Sequence, residues 1–237
     1  MTDKTYDRVP SNMSPTTFGQ LIERIDDYCE SMCIDEFHLT LHGGEPLMWP
    51  SKYFTDSIPL IRRSGRIRAT LQTNASLPFD LSTMQLLSDY GIRIGISLDG
   101  PEKYNDIWRI DKKGRGSYSS VMNFVKELDQ NNLMSNLGGF LSVINTDIAP
   151  REYFDWVMDL PKKRIDVLMP IDINYSNFDK RNDGRIGQWL AELFDIWFLN
   201  DDPEVYIRTF SSTVELMCGG SNHTDKLVND SIPMFVI

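Results

Sequence analysis

The chain has 237 residues, 41% apolar and 24% charged, which suffices for a buried core. Its apolar runs are too short for a roughly 20-residue membrane span, and no secretory signal is visible. Its 34 acidic and 24 basic residues give a net charge of −10, which argues against nucleic-acid binding. Three cysteines are too few for a disulfide framework, so a secreted scaffold is excluded and a cytoplasmic location is predicted.

The first predicted element is a helix that starts at Ser14-Pro15, with Ser as its cap and Pro at its first position. A strand over 37–41, a helix over 52–63, a strand over 67–71, a helix over 82–90 and a strand over 92–97 follow. Helices near 117–131 and 151–160 alternate with strands near 140–144 and 165–169. A long helix then carries an apolar stripe of Ile186, Leu190, Leu193, Phe194, Trp197 and Phe198, and the chain ends on a strand-like segment, 232–237.

Alternation of strands and helices predicts a parallel sheet. Within the strands, apolar and polar residues also alternate, as in Ile94 and Ile96 against Arg93 and Ser97. A flat, doubly wound sheet is covered on both faces and would read as almost continuously apolar. The pattern therefore favours an α/β fold that forms a partial (β/α) barrel around a polar lumen. There are five strands before the terminal segment, against eight in a closed barrel. Because the sequence begins on a polar segment just before a helix, the first strand is expected to be missing.

Polar or glycine-rich residues follow three of these strands, where α/β barrels carry their functional groups. They are Gly43-Gly44-Glu45-Pro46, then Gln72-Thr73-Asn74, then Ser97-Leu98-Asp99-Gly100-Pro101 with Arg109. Two glycines allow a ligand to approach the backbone, and Glu45 offers an acceptor for a cation. No pair of carboxylates has a spacing that indicates acid–base catalysis, so no catalytic residue is predicted.

In this order and at these spacings, the three segments resemble the radical S-adenosylmethionine (SAM) superfamily over residues 13–170. The resemblance implies SAM as cofactor, with its methionyl amine at Gly43, Gly44, Glu45 and Pro46 and with Thr73 and Asn74 alongside. It places Ser97 and Arg109 at the carboxylate and ribose. It also implies that 1–200 is the radical SAM core barrel and that 201–237 begins a C-terminal SPASM-side extension.

Residues 165–237 resemble, more narrowly, the FxsB-type maturases that form three-residue cyclophanes in ribosomal peptides. The implied function is hydrogen abstraction by a 5′-deoxyadenosyl radical and C–C crosslinking of a precursor peptide, with a flavodoxin or ferredoxin as electron donor. Anaerobic sulfatase-maturing enzymes, which oxidise Cys or Ser to formylglycine, share the barrel motifs and are one alternative. The other is a non-catalytic module that binds a peptide or SAM.

The chain departs from the family at the iron–sulfur site. The family holds a [4Fe–4S] cluster with Cys-x3-Cys-x2-Cys, whereas here Cys29 and Cys33 are followed by Glu36. Both are predicted to be buried in the first helix, so the cluster ligands are expected upstream of Met1 and no metal site is predicted. His38 and His42 lie too far apart along a strand, about 13 Å, to share a metal ion. Tyr175 and Phe178 are candidates for substrate contact.

Overall fold

A computed structural model describes residues 10–170, 184–220 and 234–236. The helices are α1 Pro15–Ser31, α2 Ser51–Ser64, α3 Leu81–Asp89, α4 Glu102–Trp108, α5 Tyr118–Gln130, α6 Pro150–Asp159, α7 Arg185–Asn200 and α8 Arg208–Met217. The strands are β1 Phe37–Leu41, β2 Ile67–Thr73, β3 Arg93–Ser97, β4 Leu137–Val143, β5 Arg164–Leu168, β6 Tyr206–Ile207 and β7 Met234–Val236. The described residues form two compact units: the first contains 10–73, 79–93 and 234–236, and the second contains 74–78, 94–170 and 184–220.

In the first unit, β1 lies between β2 and β7 and runs parallel to both. Leu39 at its centre pairs with Ala69 on one side and with Phe235 on the other. Burial alternates along β1, with Leu39 and Leu41 buried and His38 half-buried. One apolar and one polar face are therefore confirmed for this strand, and the terminal strand predicted over 232–237 is confirmed over Met234–Val236.

Helix α1 begins where the sequence predicts, because Ser14 Oγ accepts a hydrogen bond from the Thr17 backbone N at 3.1 Å. Pro15 fits the first helical position, since it has no N–H to leave unpaired. The helix packs against α2, and the buried positions Phe18, Ile22 and Ile25 recur at the spacing of one helical face.

The two cysteines near the end of α1 have different environments. Cys29 is buried, and burial raises the pKa of its thiol above the usual value. Cys33 lies beyond the last helical residue, is exposed and has a left-handed φ of 53°. The prediction that both are buried helical residues is therefore correct for Cys29 and wrong for Cys33, because the helix ends two residues before it.

Helix α3 begins at a cap that the sequence analysis missed. The Asp80 carboxylate accepts hydrogen bonds from the Ser82 backbone N at 3.1 Å, from the Ser82 and Thr83 hydroxyls at 2.7 Å each, and from Ser51 Oγ at 2.8 Å. These bonds hold the pKa of Asp80 far below its ordinary value, and the bond from the Ser82 hydroxyl lowers it most. The carboxylate joins the start of α3 to the start of α2.

We expect Asp80→Asn to destabilise the chain by about 1 kcal/mol at neutral pH. Because the folded pKa is lowered, the charged form stabilises the fold above the ordinary pKa of about 3.9. That contribution disappears as the pH falls below this value toward the lowered pKa. Urea unfolding of both proteins between pH 7 and pH 3 should show the difference shrinking with acid; a constant difference would contradict this account.

In the second unit, β3, β4, β5 and β6 follow one another as parallel neighbours. The register aligns Ile96 with Phe140, Phe140 with Ile165, and Ile165 with Ile207. The register between β3 and β4 shifts next to Gly139, whose φ is +143°. A Cβ there would lie 2.7 Å from the Arg164 carbonyl oxygen, so this position requires glycine.

The long helix α7 is confirmed, but its buried face differs from the predicted stripe. Of the six stripe residues only Leu193 is fully buried, and Phe198 is 58% exposed. Trp189, which the stripe omits, is 4% exposed and donates from Nε1 to the Ile148 carbonyl oxygen at 2.7 Å. The helix therefore packs on α6 along a face rotated toward Trp189.

The sequence analysis missed several elements of the described chain. Helix α4 directly follows Asp99-Gly100-Pro101, which by composition is a turn, and α8 and the two-residue strand β6 were also not predicted. Strand β4 begins at Leu137, three residues before the predicted start, because two glycines weaken its strand pattern. Among the described residues, no helix combines the length and apolarity that a bilayer crossing requires.

Candidate functional site

The loop after β1 leaves its backbone open. Gly43 has a φ of +50°, in the left-handed region that favours glycine. Gly44 has no such restriction, and a Cβ built on either residue meets no heavy atom within 4 Å. Both glycines are exposed. A ligand can therefore reach this backbone at a distance that side chains would prevent.

Hydrogen bonds from Leu47 and Thr73 orient Glu45. Its Oε1 accepts from the Leu47 backbone N at 3.1 Å, where it caps the short 3-10 turn Pro46–Met48, and from Thr73 Oγ1 at 2.6 Å. Thr73 is the last residue of β2 and only 2% exposed. The structure thus brings together two residues, 28 positions apart, that the sequence analysis selected separately.

A cavity of about 280 Å³ adjoins this loop. Its walls include Gly43, Gly44 and Glu45 together with the aromatic rings of Phe18, Trp49 and Phe54. Trp49 is held by a hydrogen bond from Nε1 to the Met13 carbonyl oxygen at 2.7 Å and by ring contacts with Phe18 and Phe54. The volume lies just below that of pockets that enclose drug-sized ligands, so the cavity admits part of a molecule as large as SAM.

Sequence reasoning missed Trp49 as a wall of this cavity. The available signal was an aromatic residue three positions after Pro46, in a segment otherwise described only as glycine-rich. Asn74, in the second unit, accepts hydrogen bonds through Oδ1 from the backbone N and the hydroxyl of Ser76, at 2.9 and 2.6 Å. Its amide oxygen therefore shapes the turn after β2, and contact of Asn74 with a cofactor stays a prediction.

At the end of β3, the second unit carries an ion pair. Ile94, Ile96 and Leu98 are fully buried, whereas the alternating residues Ser97 and Asp99 are only partly buried. Asp99 Oδ2 accepts a hydrogen bond from Arg109 Nε at 2.5 Å. The predicted site residue Arg109 is thus fixed by a carboxylate of the same motif, while the Ser97 hydroxyl makes no hydrogen bond to a described residue.

A buried amide holds this loop together. Asn105, with no exposed surface, accepts from the Asp99 backbone N at 3.0 Å and donates to Asp106 Oδ1 at 2.8 Å and to Ser117 Oγ at 3.3 Å. Asp106 Oδ1 also accepts from the Tyr118 backbone N at 2.9 Å, at the start of α5. Sequence reasoning placed Asp99, Asn105 and Asp106 in or beside the third motif but assigned them no structural role, since their partners lie up to 12 positions away.

Asp166 and the two histidines of β1 and its following loop also make polar contacts. Asp166, in β5, accepts from Arg208 Nη1 at 3.2 Å and from Thr209 Oγ1 at 3.3 Å. His38 Nε2 lies 2.9 Å from Glu36 Oε1, and His42 Nδ1 lies 3.0 Å from the Gly43 carbonyl oxygen. Tyr175 and Phe178 lie outside the described residues.

The described cysteines do not fit a [4Fe–4S] cluster. The resemblance to the radical SAM superfamily implies three thiolate ligands from the chain for such a cluster. Cys29 is a buried thiol within a helix, its pKa raised by burial, whereas Cys33 and Cys218 are exposed. In the part of the chain that the structure covers, no three His, Cys, Asp or Glu side chains are grouped closely enough to hold a metal ion.

Comparison with known proteins matches residues 6–159 to the radical SAM superfamily. The serine-type anaerobic sulfatase-maturating enzyme of Bacteroides thetaiotaomicron is 25% identical over 217 residues, which cover 82% of this chain and 52% of that protein. The cysteine-type enzyme of Clostridium novyi is 25% identical over 215 residues, covering 85% and 55%. The chain spans about half the length of the curated relatives it matches.

Solved structures show the same fold. Native anSMEcpe with bound AdoMet superposes with a TM-score of 0.74 at 22% identity, covering 90% of this chain and 59% of that one. The same protein with AdoMet and the Cp18Cys peptide gives a TM-score of 0.74 at 23% identity, covering 87% and 58%. The predicted α/β fold of the radical SAM type is confirmed, and a partial barrel is consistent with it; the cyclophane-forming subtype stays a prediction.

Proposed function

We propose, because this chain belongs to the radical SAM superfamily, that it is the SAM-binding part of an enzyme that modifies a peptide or protein. We assign residues 1–200 to the radical SAM core and 201–237 to the start of a C-terminal extension. The observation that carries the proposal is the loop Gly43–Pro46, whose open glycine backbone precedes a carboxylate held in place by Thr73.

The loop suits the methionyl amine of SAM. A carboxylate attracts an ammonium group more strongly where water is partly excluded, and the half-buried Glu45 is already oriented by Leu47 and Thr73. Gly43 and Gly44 leave room beside it, and Pro46 stiffens the exit of the loop. Bound SAM would supply hydrogen abstraction from C–H bonds that side chains cannot activate only together with a reduced iron–sulfur cluster, whose ligands the described cysteines do not provide.

The substrate class follows from the relatives. Proteins named as sulfatase-maturating enzymes act on a protein, and a related structure holds a bound peptide. These relatives favour formylglycine formation as the specific reaction, while the looser resemblance of residues 165–237 favours C–C crosslinking of a precursor peptide. A flavodoxin or ferredoxin would supply the electron in either case.

The cysteines favour a second candidate, a SAM- or peptide-binding module without a cluster of its own. Iron and acid-labile sulfide per chain after anaerobic reconstitution distinguish the two candidates. About four irons per chain, lost in a Cys29/Cys33/Cys218 triple alanine variant, would support the enzyme and overturn our assignment of these cysteines. Iron near zero would support the module for the chain as it stands.

We expect Gly44→Ala to weaken SAM binding by at least about tenfold while leaving the fold intact. A ligand displaced by the added methyl group would lose the equivalent of at least one good polar contact. The added Cβ would occupy the open space that the ligand needs, yet it meets no protein atom within 4 Å and requires no left-handed backbone. Equilibrium dialysis of labelled SAM measures the binding, and thermal unfolding checks the fold.

Gly187→Ala is the matched control, because a Cβ there also meets nothing within 4 Å but lies on α7 in the second unit. It should bind SAM as the wild type does. Unchanged SAM binding by Gly44→Ala, or no SAM binding by the wild-type chain, would contradict the proposed function.

A further inference from the structure

We propose that Asp99 is a positioning residue, which fixes the guanidinium of Arg109 so that its terminal nitrogens bind the carboxylate of SAM. This inference rests on the proposed function. It concerns the second unit alone, where both residues lie. The observation behind it is that Arg109 pairs with Asp99 through Nε, which leaves the other edge of the guanidinium available.

The ion pair uses only one side of Arg109. Nε donates to Asp99 Oδ2 at 2.5 Å, and neither Nη1 nor Nη2 makes a hydrogen bond to any described residue. The Arg109 side chain is 28% exposed and that of Asp99 is 16% exposed. A guanidinium presents five N–H donors in a rigid plane, so the orientation set at Nε also sets the direction of both terminal groups.

Asp99 is itself held at three points. Its Oδ1 accepts from the Val143 backbone N at 2.8 Å, its Oδ2 accepts from Arg109, and its backbone N donates to Asn105 Oδ1 at 3.0 Å. Val143 and Arg109 each hold one carboxylate oxygen, so the carboxylate cannot rotate without losing one of these bonds, while the buried Asn105 fixes the backbone of Asp99. Asp99 thereby connects the position of Arg109 to the sheet.

The main chain of Arg109 is fixed as well. Its N donates to the Asn105 carbonyl oxygen at 2.9 Å, and its own carbonyl oxygen accepts from the Ser117 backbone N at 3.0 Å. With both backbone and Nε held, the long side chain loses little further conformational entropy when a ligand binds. A carboxylate matches the two remaining N–H groups in the paired geometry that arginine favours.

The Asp99→Asn variant separates positioning from charge. An amide has one acceptor oxygen, whereas Val143 N–H and Arg109 Nε–H both need one, so the variant must leave one donor unpaired. Removing a negative charge near Arg109 would by itself strengthen its attraction for an anionic ligand. Lost positioning weakens binding of the carboxylate, so the two effects have opposite signs.

The experiment compares SAM with its decarboxylated analogue on the full chain by equilibrium dialysis. In Asp99→Asn we expect SAM to bind at least about tenfold more weakly, while the affinity for the analogue changes less than about twofold. Arg109→Gln should show the same selective loss. Asp111→Asn, which also removes an aspartate paired with an arginine, here Arg115 at 2.7 Å, should leave both affinities unchanged.

Each other outcome overturns the inference. Tighter SAM binding by Asp99→Asn would show that charge, not position, is the role of Asp99. An equal loss for both ligands would assign Asp99 a purely structural role, and unchanged binding would assign it none. If the wild-type chain binds no SAM, the proposed function fails together with the inference, whereas the three preceding outcomes leave the proposed function standing.

Discussion

Trp189→Ala is expected to lower the free energy of unfolding by about 3 to 5 kcal/mol, the range for removing a buried aromatic side chain. Trp189 is 4% exposed, and its ring lies 5.1 Å from that of Tyr153 in an edge-on arrangement. Tyr153 is fully buried, and burial raises the pKa of its hydroxyl. The variant would also remove the Nε1 donor from the buried Ile148 carbonyl oxygen, an additional penalty.

Trp108→Ala provides the control, because Trp108 lies in the same unit but is 75% exposed. It should change stability by no more than about 0.5 kcal/mol. Trp189→Phe should fall between the two, since it keeps much of the packing and loses the hydrogen bond. Urea unfolding followed by far-UV circular dichroism measures all three. Equal losses for Trp189→Ala and Trp108→Ala would refute the assignment of Trp189 to the core.

Local patterns predicted the regular elements well. Ser14-Pro15 has a mechanism for starting a helix, and the alternation along Phe37–Leu41 matches a half-buried strand, so both were correct. The burial of Trp189 was missed, because it depends on how α7 is rotated against α6. The predicted burial of Cys33 was wrong, because it depends on where α1 ends. Periodicity defines an apolar face only to within about one residue when several faces carry aromatic side chains.

The same distinction between local and long-range information applies to the candidate site. Gly43, Gly44 and Glu45 follow one another in the chain, so their motif is visible without the fold. The partner that orients Glu45 is 28 positions away, and Val143, which holds Asp99, is 44 positions away. Such partners come into contact only through strand pairing. The sequence therefore indicates which groups could bind a cofactor, whereas the hydrogen bonds that position them emerge from the three-dimensional structure.

Gly116→Ala is expected to destabilise the chain by about 3 kcal/mol, the upper part of the range for inserting a methyl group into a packed site. The added Cβ would overlap Cγ, Oδ2 and Cβ of Asp106. Asp106 cannot move aside cheaply, because its Oδ1 is held by Asn105 Nδ2 and by the Tyr118 backbone N. For a chain of this size we expect the melting temperature to fall by roughly 6 to 12 °C.

Gly114→Ala separates this steric effect from backbone strain. Gly114 has a φ of +75° and open space around it, so alanine there should cost only about 1 kcal/mol, the penalty of a left-handed backbone. The cause is tested by adding Asp106→Ala. If the overlap with Asp106 is responsible, the double variant Gly116→Ala/Asp106→Ala will be more stable than the sum of the two single losses predicts, by at least about 1 kcal/mol. Strict additivity would instead place the penalty in the antiparallel bridge between Ile110 and Gly116.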